Sequence, residues 1–247
     1  MALITAKQVI DTAFTNKNTD QYLVKPAFVE IAELNFIQPS LGEKLYKNLT
    51  EEFNRAEVWV WDDLYVKTTE GSNVVDVVNA QEPPIPLLVN DFISGSGLPI
   101  YDGNDDDANR GLNKVTETTV TGVSVTEFKM SGVATKSQNG VKVKVRRPFS
   151  VLLEDYILDY LAFCVKFEML PDMSYNTTSQ GVVENVAEFT MPVDSKKLNF
   201  LRNETFKKSE TYLRRMIDFL NNNDEAYPDW DNELTGGVSK FNGIILY

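Results

Sequence analysis

Two groups of carboxylates are the side chains in this sequence most able to do chemistry. The first is the run Asp102-Gly-Asn-Asp-Asp-Asp107, whose closely spaced oxygens suit a hard cation such as calcium. An EF-hand loop beginning at Asp102 requires glycine at its sixth position and glutamate at its twelfth. The chain has Asp107 and Asn113 there, so Asp102, Asp105, Asp106 and Asp107 read as a solvated acidic loop. The second group is Glu154, Asp155 and Asp159, set in the apolar stretch FSVLLEDYILDYLAFCVKFEML. Carboxylates buried together have raised pKa values and can do acid–base work. The simpler reading pairs them with Arg146, Arg147 or the lysines of a later helix.

The rest of the composition narrows the chemistry further. The 247 residues contain no histidine, which removes the commonest general base, the commonest zinc ligand and every Ser-His or Cys-His pair. The single cysteine, Cys164, lies in Tyr160-Leu-Ala-Phe-Cys-Val165; one cysteine allows no internal disulfide, and this one reads as a buried, inert thiol. Gly95-Ser-Gly97 lacks the lysine and helix that a phosphate-cradling loop needs. No catalytic, cofactor-binding or metal-binding residue is therefore assigned, and no cofactor is expected. A carboxylate-dependent hydrolase built on Glu154, Asp155 or Asp159 is the enzymatic alternative.

Charge points to how the chain meets its surroundings. The net charge is −12, and residues 51–112 carry thirteen acids against three bases. Such a surface repels phosphate backbones, so groove reading is not expected. Lys142, Lys144, Arg146 and Arg147 form a small basic strip, read as a solvated face or a contact for an acidic neighbour. No run of about 18 apolar residues is present, so no membrane partner is expected. The opening MALITAKQVIDTAF has its apolar run broken by Lys7, Gln8 and Asp11, unlike a secretory leader. Synthesis in a cytoplasm follows as the expectation.

The elements that must position these groups form an α+β pattern: a helical bundle core, a β-rich insertion and a C-terminal strand. Thr5 caps a short helix to Phe14. A second helix spans Tyr22 to Ile37; Pro26 either marks a start near Lys25 or kinks the first turn. Pro39 is expected to stop it and Gly42 to free the backbone, with Leu41 plugging the corner before a further helix through Leu45, Leu49 and Phe53. VWVWDDLYV suggests a strand, while QEPPIP and the Gly- and Asp-rich stretches suggest irregular chain. Val141, Val143 and Val145 alternate with basic residues, and Asn139-Gly140 predicts a type I′ hairpin. Pro148 opens a helix apolar nearly all round, which Pro171 is expected to end. A strand pair follows with Gly181 at its bend. A long helix then runs from Asp194 or Ser195 to about Asn221. Its predicted inner face carries Leu198, Leu201, Thr205, Tyr212, Met216 and Leu220. Residues 1–55 and 148–230 thus form a helical core, 56–147 an insertion with an acidic loop and hairpin, and 231–247 a tail.

Two apolar segments stand out as candidate partner contacts. Trp59 and Trp61, with Tyr65, are either a partner-facing aromatic patch or ordinary core. Phe241-Asn-Gly-Ile-Ile-Leu-Tyr247 is β-prone at the chain's end, and Phe241, Ile244, Ile245, Leu246 and Tyr247 either pair within their own sheet or add to another chain.

The run FVEIAELNFIQPSLGEKLYKNL resembles the N-terminal signature of head–tail connector (adaptor, or neck ring) proteins of tailed bacteriophages, those of the crAss-like phages and their relatives in particular. The matching positions are Ala32-Glu33, Pro39, Leu41-Gly42 and Leu45-Tyr46. The second half is similar in its tyrosine-bearing apolar helix (Tyr156, Tyr160), its Gly181-Val-Val183 strand, and its long helix ending Leu-Arg-Arg-Met-Ile-Asp-Phe-Leu before Tyr227-Pro-Asp229. The likeness covers roughly residues 1–55 and 148–230. It implies a virion structural protein, a subunit of a ring of twelve copies below the portal and above further neck rings. Genomic DNA passes through its lumen without sequence-specific binding, with Asp102, Asp105, Asp106 and Asp107 as candidates to face the lumen or the ring's wet rim, and the subunits are assembled in the host cytoplasm. Another tail-neck or tail-completion component is the nearest alternative.

Overall fold

The structure, a computed structural model, describes residues 2–54, 60–79, 87–94, 100–101, 113–121, 124–178, 181–184 and 195–230. They form a mixed α and β chain of two compact units. One unit comprises residues 1–54, 153–224 and 229–247; the other comprises 55–152 and 225–228.

In the first unit, helix α1 (Ala6–Ala13) opens with a capping box. The Gln8 N–H donates to the Thr5 hydroxyl oxygen, and the Gln8 side chain accepts from the Thr5 N–H. A 3₁₀ turn at Gln21–Leu23 is capped by Asp20 and leads to α2 (Pro26–Ala32). Lys25 is the cap and Pro26 the first helical residue, where a missing N–H costs no bond.

Pro39 does not stop the helix, contrary to the sequence expectation. A π turn at Glu33–Ile37 precedes it, the Gln38 N–H donating five residues back to the Glu33 carbonyl. Widening the turn there relieves the press of a proline ring on the preceding carbonyls. The chain stays helical through α3 (Gln38–Leu41) and breaks at Gly42, with φ 79° and ψ 156°, a region open essentially to glycine alone. Helix α4 (Glu43–Asn54) follows.

The second unit is a closed antiparallel barrel. Its strands are β1 (Val60–Thr68), β2 (Val74–Asn79), β3 (Phe92–Ser94), β5 (Asn113–Thr121), β6 (Ser124–Met130) and β8 (Gln138–Arg146), in the order β1-β2-β6-β5-β3-β8. A separate pair is formed by β4 (Ile100–Tyr101) and β7 (Val133–Ala134). Closure leaves the barrel no edge to template aggregation. Its interior collects alternate residues, with Leu64 and Val66 from β1, Val143 and Val145 from β8, and Phe128 and Met130 from β6. The sequence reading of this region as hairpin and irregular insertion understated it.

Asn139-Gly140 forms no hairpin turn. Both residues lie in β8, where Gln138 faces Thr68 and Val141 faces Val66, so two residues oppose one. Gly140 has φ 71°, as a glycine bulge requires. Replacing Gly140 with alanine is expected to cost about 1 kcal/mol in urea denaturation. A Cβ there meets nothing within 4 Å, so the cost is backbone strain alone, and an unchanged midpoint would show that the bulge relaxes.

Helix α5 (Pro148–Leu152) closes this unit's chain, opening on Pro148 as its sequence requires. The Tyr227 hydroxyl donates to the Pro148 carbonyl at 2.6 Å, and its ring meets Phe149 edge-on.

Back in the first unit, a π turn at Leu153–Ile157 leads into α6 (Leu158–Ser174), against which α1, α2 and α7 (Ser195–Asn221) pack. Helix α6 runs through Pro171, which was expected to end it. The proline's fixed φ is helical, and only one turn remains to lose a bond. Tyr156 stacks on Phe219 with ring centroids 4.0 Å apart, Phe163 stacks on Tyr212, and Phe36 and Phe206 both meet Phe167. Strands β9 (Tyr175–Thr178) and β10 (Gly181–Glu184) form the predicted pair. On α7, Leu198, Thr205, Met216 and Leu220 are buried as the periodicity predicts, and Tyr212 is half-buried. Leu201 is instead exposed.

Candidate interaction surface

The corner residues come together in the first unit. Leu41 is fully buried, and Pro39 lies on the exposed side of α3. The Gly42 N–H donates to the Gln38 carbonyl at 2.9 Å, and the Tyr46 N–H donates to the Gly42 carbonyl. Across this turn the Tyr46 hydroxyl reaches the Glu33 Oε2 at a long 3.4 Å, while the Glu33 Oε1 accepts from the Leu3 N–H at 2.7 Å. One carboxylate thus ties α2, α4 and the chain before α1. Lys44 and Asn48 on α4 both reach the Asp229 carboxylate.

Burial pushes the Glu33 carboxyl above its usual range, only partly offset by the Leu3 and Tyr46 bonds. Burial likewise raises Glu168 and Asp159; Arg215 opposes it at Asp159, and Asn35 at Glu168. An acid whose folded pKa is raised binds its proton more readily in the folded state. Its stabilisation is present below the unfolded pKa and is lost as pH rises toward the folded one. These three groups therefore predict a urea midpoint that falls as pH rises above about 4.5. Glu33→Gln should reduce that slope; an unchanged slope would show that Glu33 is not its source.

Of the carboxylates weighed for chemistry, Asp155 lies near enough to Asp159 to raise its pKa further. Glu154 is exposed, Asp155 half-buried, and Asp159 one turn further on. Among the described residues no three cysteine, aspartate or glutamate side chains are placed to hold a metal ion. Cys164 is buried with Tyr160 and Ser209 against its sulfur, and burial pushes its thiol far up, so thiolate chemistry is suppressed.

The basic strip separates. Lys142 is exposed, Arg146 is buried and donates to the Ser150 carbonyl, and Arg147 grips Asp91 at 2.6 and 2.8 Å. The Asp91 Oδ2 also accepts from the Leu88 N–H at 2.8 Å. Burial pushes the Asp91 carboxyl up against the pull of these donors. Asn90, with φ 74°, and Asp91 are zipped to β5 through Val115. Sequence reasoning missed this pair because its partners are 56 residues apart.

Trp61 lies in β1 opposite Val145. Trp59, the acids Asp102, Asp105, Asp106 and Asp107, and the terminal Phe241, Ile244, Ile245, Leu246 and Tyr247 lie outside the described residues.

Exposed apolar side chains mark a surface the sequence analysis did not single out. Tyr22 is 91% exposed, Leu34 57% and Phe200 64%, with Leu23, Ile31 and Leu201 also exposed. Along α2 and the π turn that follows it, the outward Ala27, Ile31 and Leu34 recur at helical spacing opposite the buried Val29, Ala32 and Phe36. The signal was present in PAFVEIAELNFI, which is apolar nearly all round and so calls for burial on both faces. Among the described residues no helix is long and apolar enough to cross a membrane.

A family model described as "Family of unknown function (DUF6712)" matches residues 109–239. No curated protein and no solved structure matches the chain.

Proposed function

The chain belongs to DUF6712, a family of unknown function, and for it we propose a structural role as a subunit of a phage head-to-tail connector ring, docked beneath the portal around the DNA channel. One observation carries the reading. The signature residues Glu33, Leu41, Gly42 and Tyr46 make a single device, a glycine-only bend with a buried leucine and a tyrosine–carboxylate tie across it. A bend set by a glycine-only conformation and a buried leucine fixes the angle between α2 and α4, as repeated subunits in a closed ring need.

Two features support it. The outward face of α2 is apolar and suited to burial in an assembly. Residues 51–112 hold thirteen acids against three bases, and carboxylates facing a lumen repel passing phosphates. The helical unit serves as the connector core in this reading, and the barrel unit as its insertion.

Immunogold labelling of virions with an antibody to the chain tests the proposal. Label at the head–tail junction is expected. Label on the capsid shell or tail fibres, or none on intact and disrupted virions, would overturn it.

A further inference from the structure

We infer that the outward stripe of α2 in one copy receives the start of α7 from the next copy, a head-to-tail contact between two different patches. The inference rests on the ring reading and names the contact that would build the ring.

The two patches are unlike and complementary. The α2 patch is an apolar stripe, Ile31 and Leu34, with the exposed acid Glu30 beside Ile31; exposed Asp20, Tyr22 and Lys25 precede the helix. The α7 patch is an aromatic knob, Phe200, with Leu201 beside it and exposed Lys197 one turn before. Helix α7 carries seven bases against three acids in a chain whose net charge is −12. A basic knob, with Lys197, therefore meets an apolar stripe that carries Glu30, and a second copy of this chain supplies both halves.

Both patches sit on helices braced by α6. Lys25 at the start of α2 reaches Asp172 at 3.9 Å. On α7, Phe206 packs on Phe167, and the Arg202 guanidinium lies 4.5 Å from that ring's centre. The start of each helix is thus held toward the C-terminal half of α6. An interaction between unlike patches closes into a ring or runs on as a filament, whereas a self-complementary patch stops at a dimer.

Charge and mixing experiments on the full chain test it by sedimentation. The wild-type chain is expected to self-associate. Leu34→Glu and Phe200→Glu should each weaken association by roughly 100-fold or more, with helical circular dichroism and thermal midpoint retained because both side chains point outward. Mixed in equal amounts, the two variants should form a species of two chains and nothing larger, since each keeps one good patch. Glu30→Lys should weaken association by about tenfold and Lys197→Glu should restore it in the double variant. A wild-type chain monomeric at every concentration, either single variant assembling like wild type, or a mixture that stays monomeric or grows beyond two chains would overturn the contact. Assembly through these patches by a chain absent from the virion neck would leave the contact standing and remove the connector reading.

Discussion

Asp91→Ala is expected to destabilise the barrel unit by about 3 kcal/mol. The carboxylate is 2% exposed and the Arg147 side chain 16%, so removing the acid takes a 2.6 Å ion pair away from a mostly buried guanidinium. The same change takes away the acceptor for the Leu88 N–H, loosening a turn that already holds Asn90 in the left-handed region. That turn positions Phe92 opposite Arg146 and Lys114, so a local loss reaches the seam where β3 bridges β5 and β8. Asp91→Asn keeps an acceptor for Leu88 and should cost less. Urea denaturation of the full chain measures both, and a loss under about 1 kcal/mol for the alanine variant would show that the other surroundings of Arg147 accommodate its charge without penalty.

Leu41→Ala carries the second large effect, about 3 kcal/mol. Leu41 has no exposed surface, and it sits between a π turn and a glycine-only bend. Neither neighbour can move to fill the space: Gly42 is fixed at φ 79°, and the Ser40 hydroxyl donates to the Phe36 carbonyl at 2.6 Å. A site that relaxes poorly retains part of its cavity, which keeps the cost within the usual range for a buried leucine. Thermal unfolding should show the loss, and the truncated chain should assemble more weakly even below its midpoint because the angle between α2 and α4 is no longer held. A small stability loss with normal assembly would make the corner an ordinary loop.

Local signals in the sequence carried a good part of this architecture. Thr5 with Gln8, Pro26 after Lys25, and Pro148 at a first turn all act through bonds within four residues, and each does what its chemistry dictates. The same local reasoning failed where the backbone had a second way to accommodate a residue. Proline chemistry predicts a stop at Pro39 and Pro171, yet a π turn absorbs the first and the last helical turn tolerates the second. Asn139-Gly140 was read as a turn because glycine supplies positive φ; here that φ serves a bulge within β8. Barrel closure was beyond local reading, because β2, β3 and the pairing of β8 with both β1 and β3 depend on contacts far apart in sequence. The apolar outer face of α2 was legible in PAFVEIAELNFI, but periodicity alone does not say which of two apolar faces turns inward.

The mass of the purified chain in solution, followed over a wide concentration range, tests the central claim of self-assembly most directly. If the chain of 27.9 kDa closes a ring as proposed, it should pass from monomer to one large, discrete multiple with few species between. A single 27.9 kDa particle at every concentration, unchanged by adding disrupted virion necks, would contradict it.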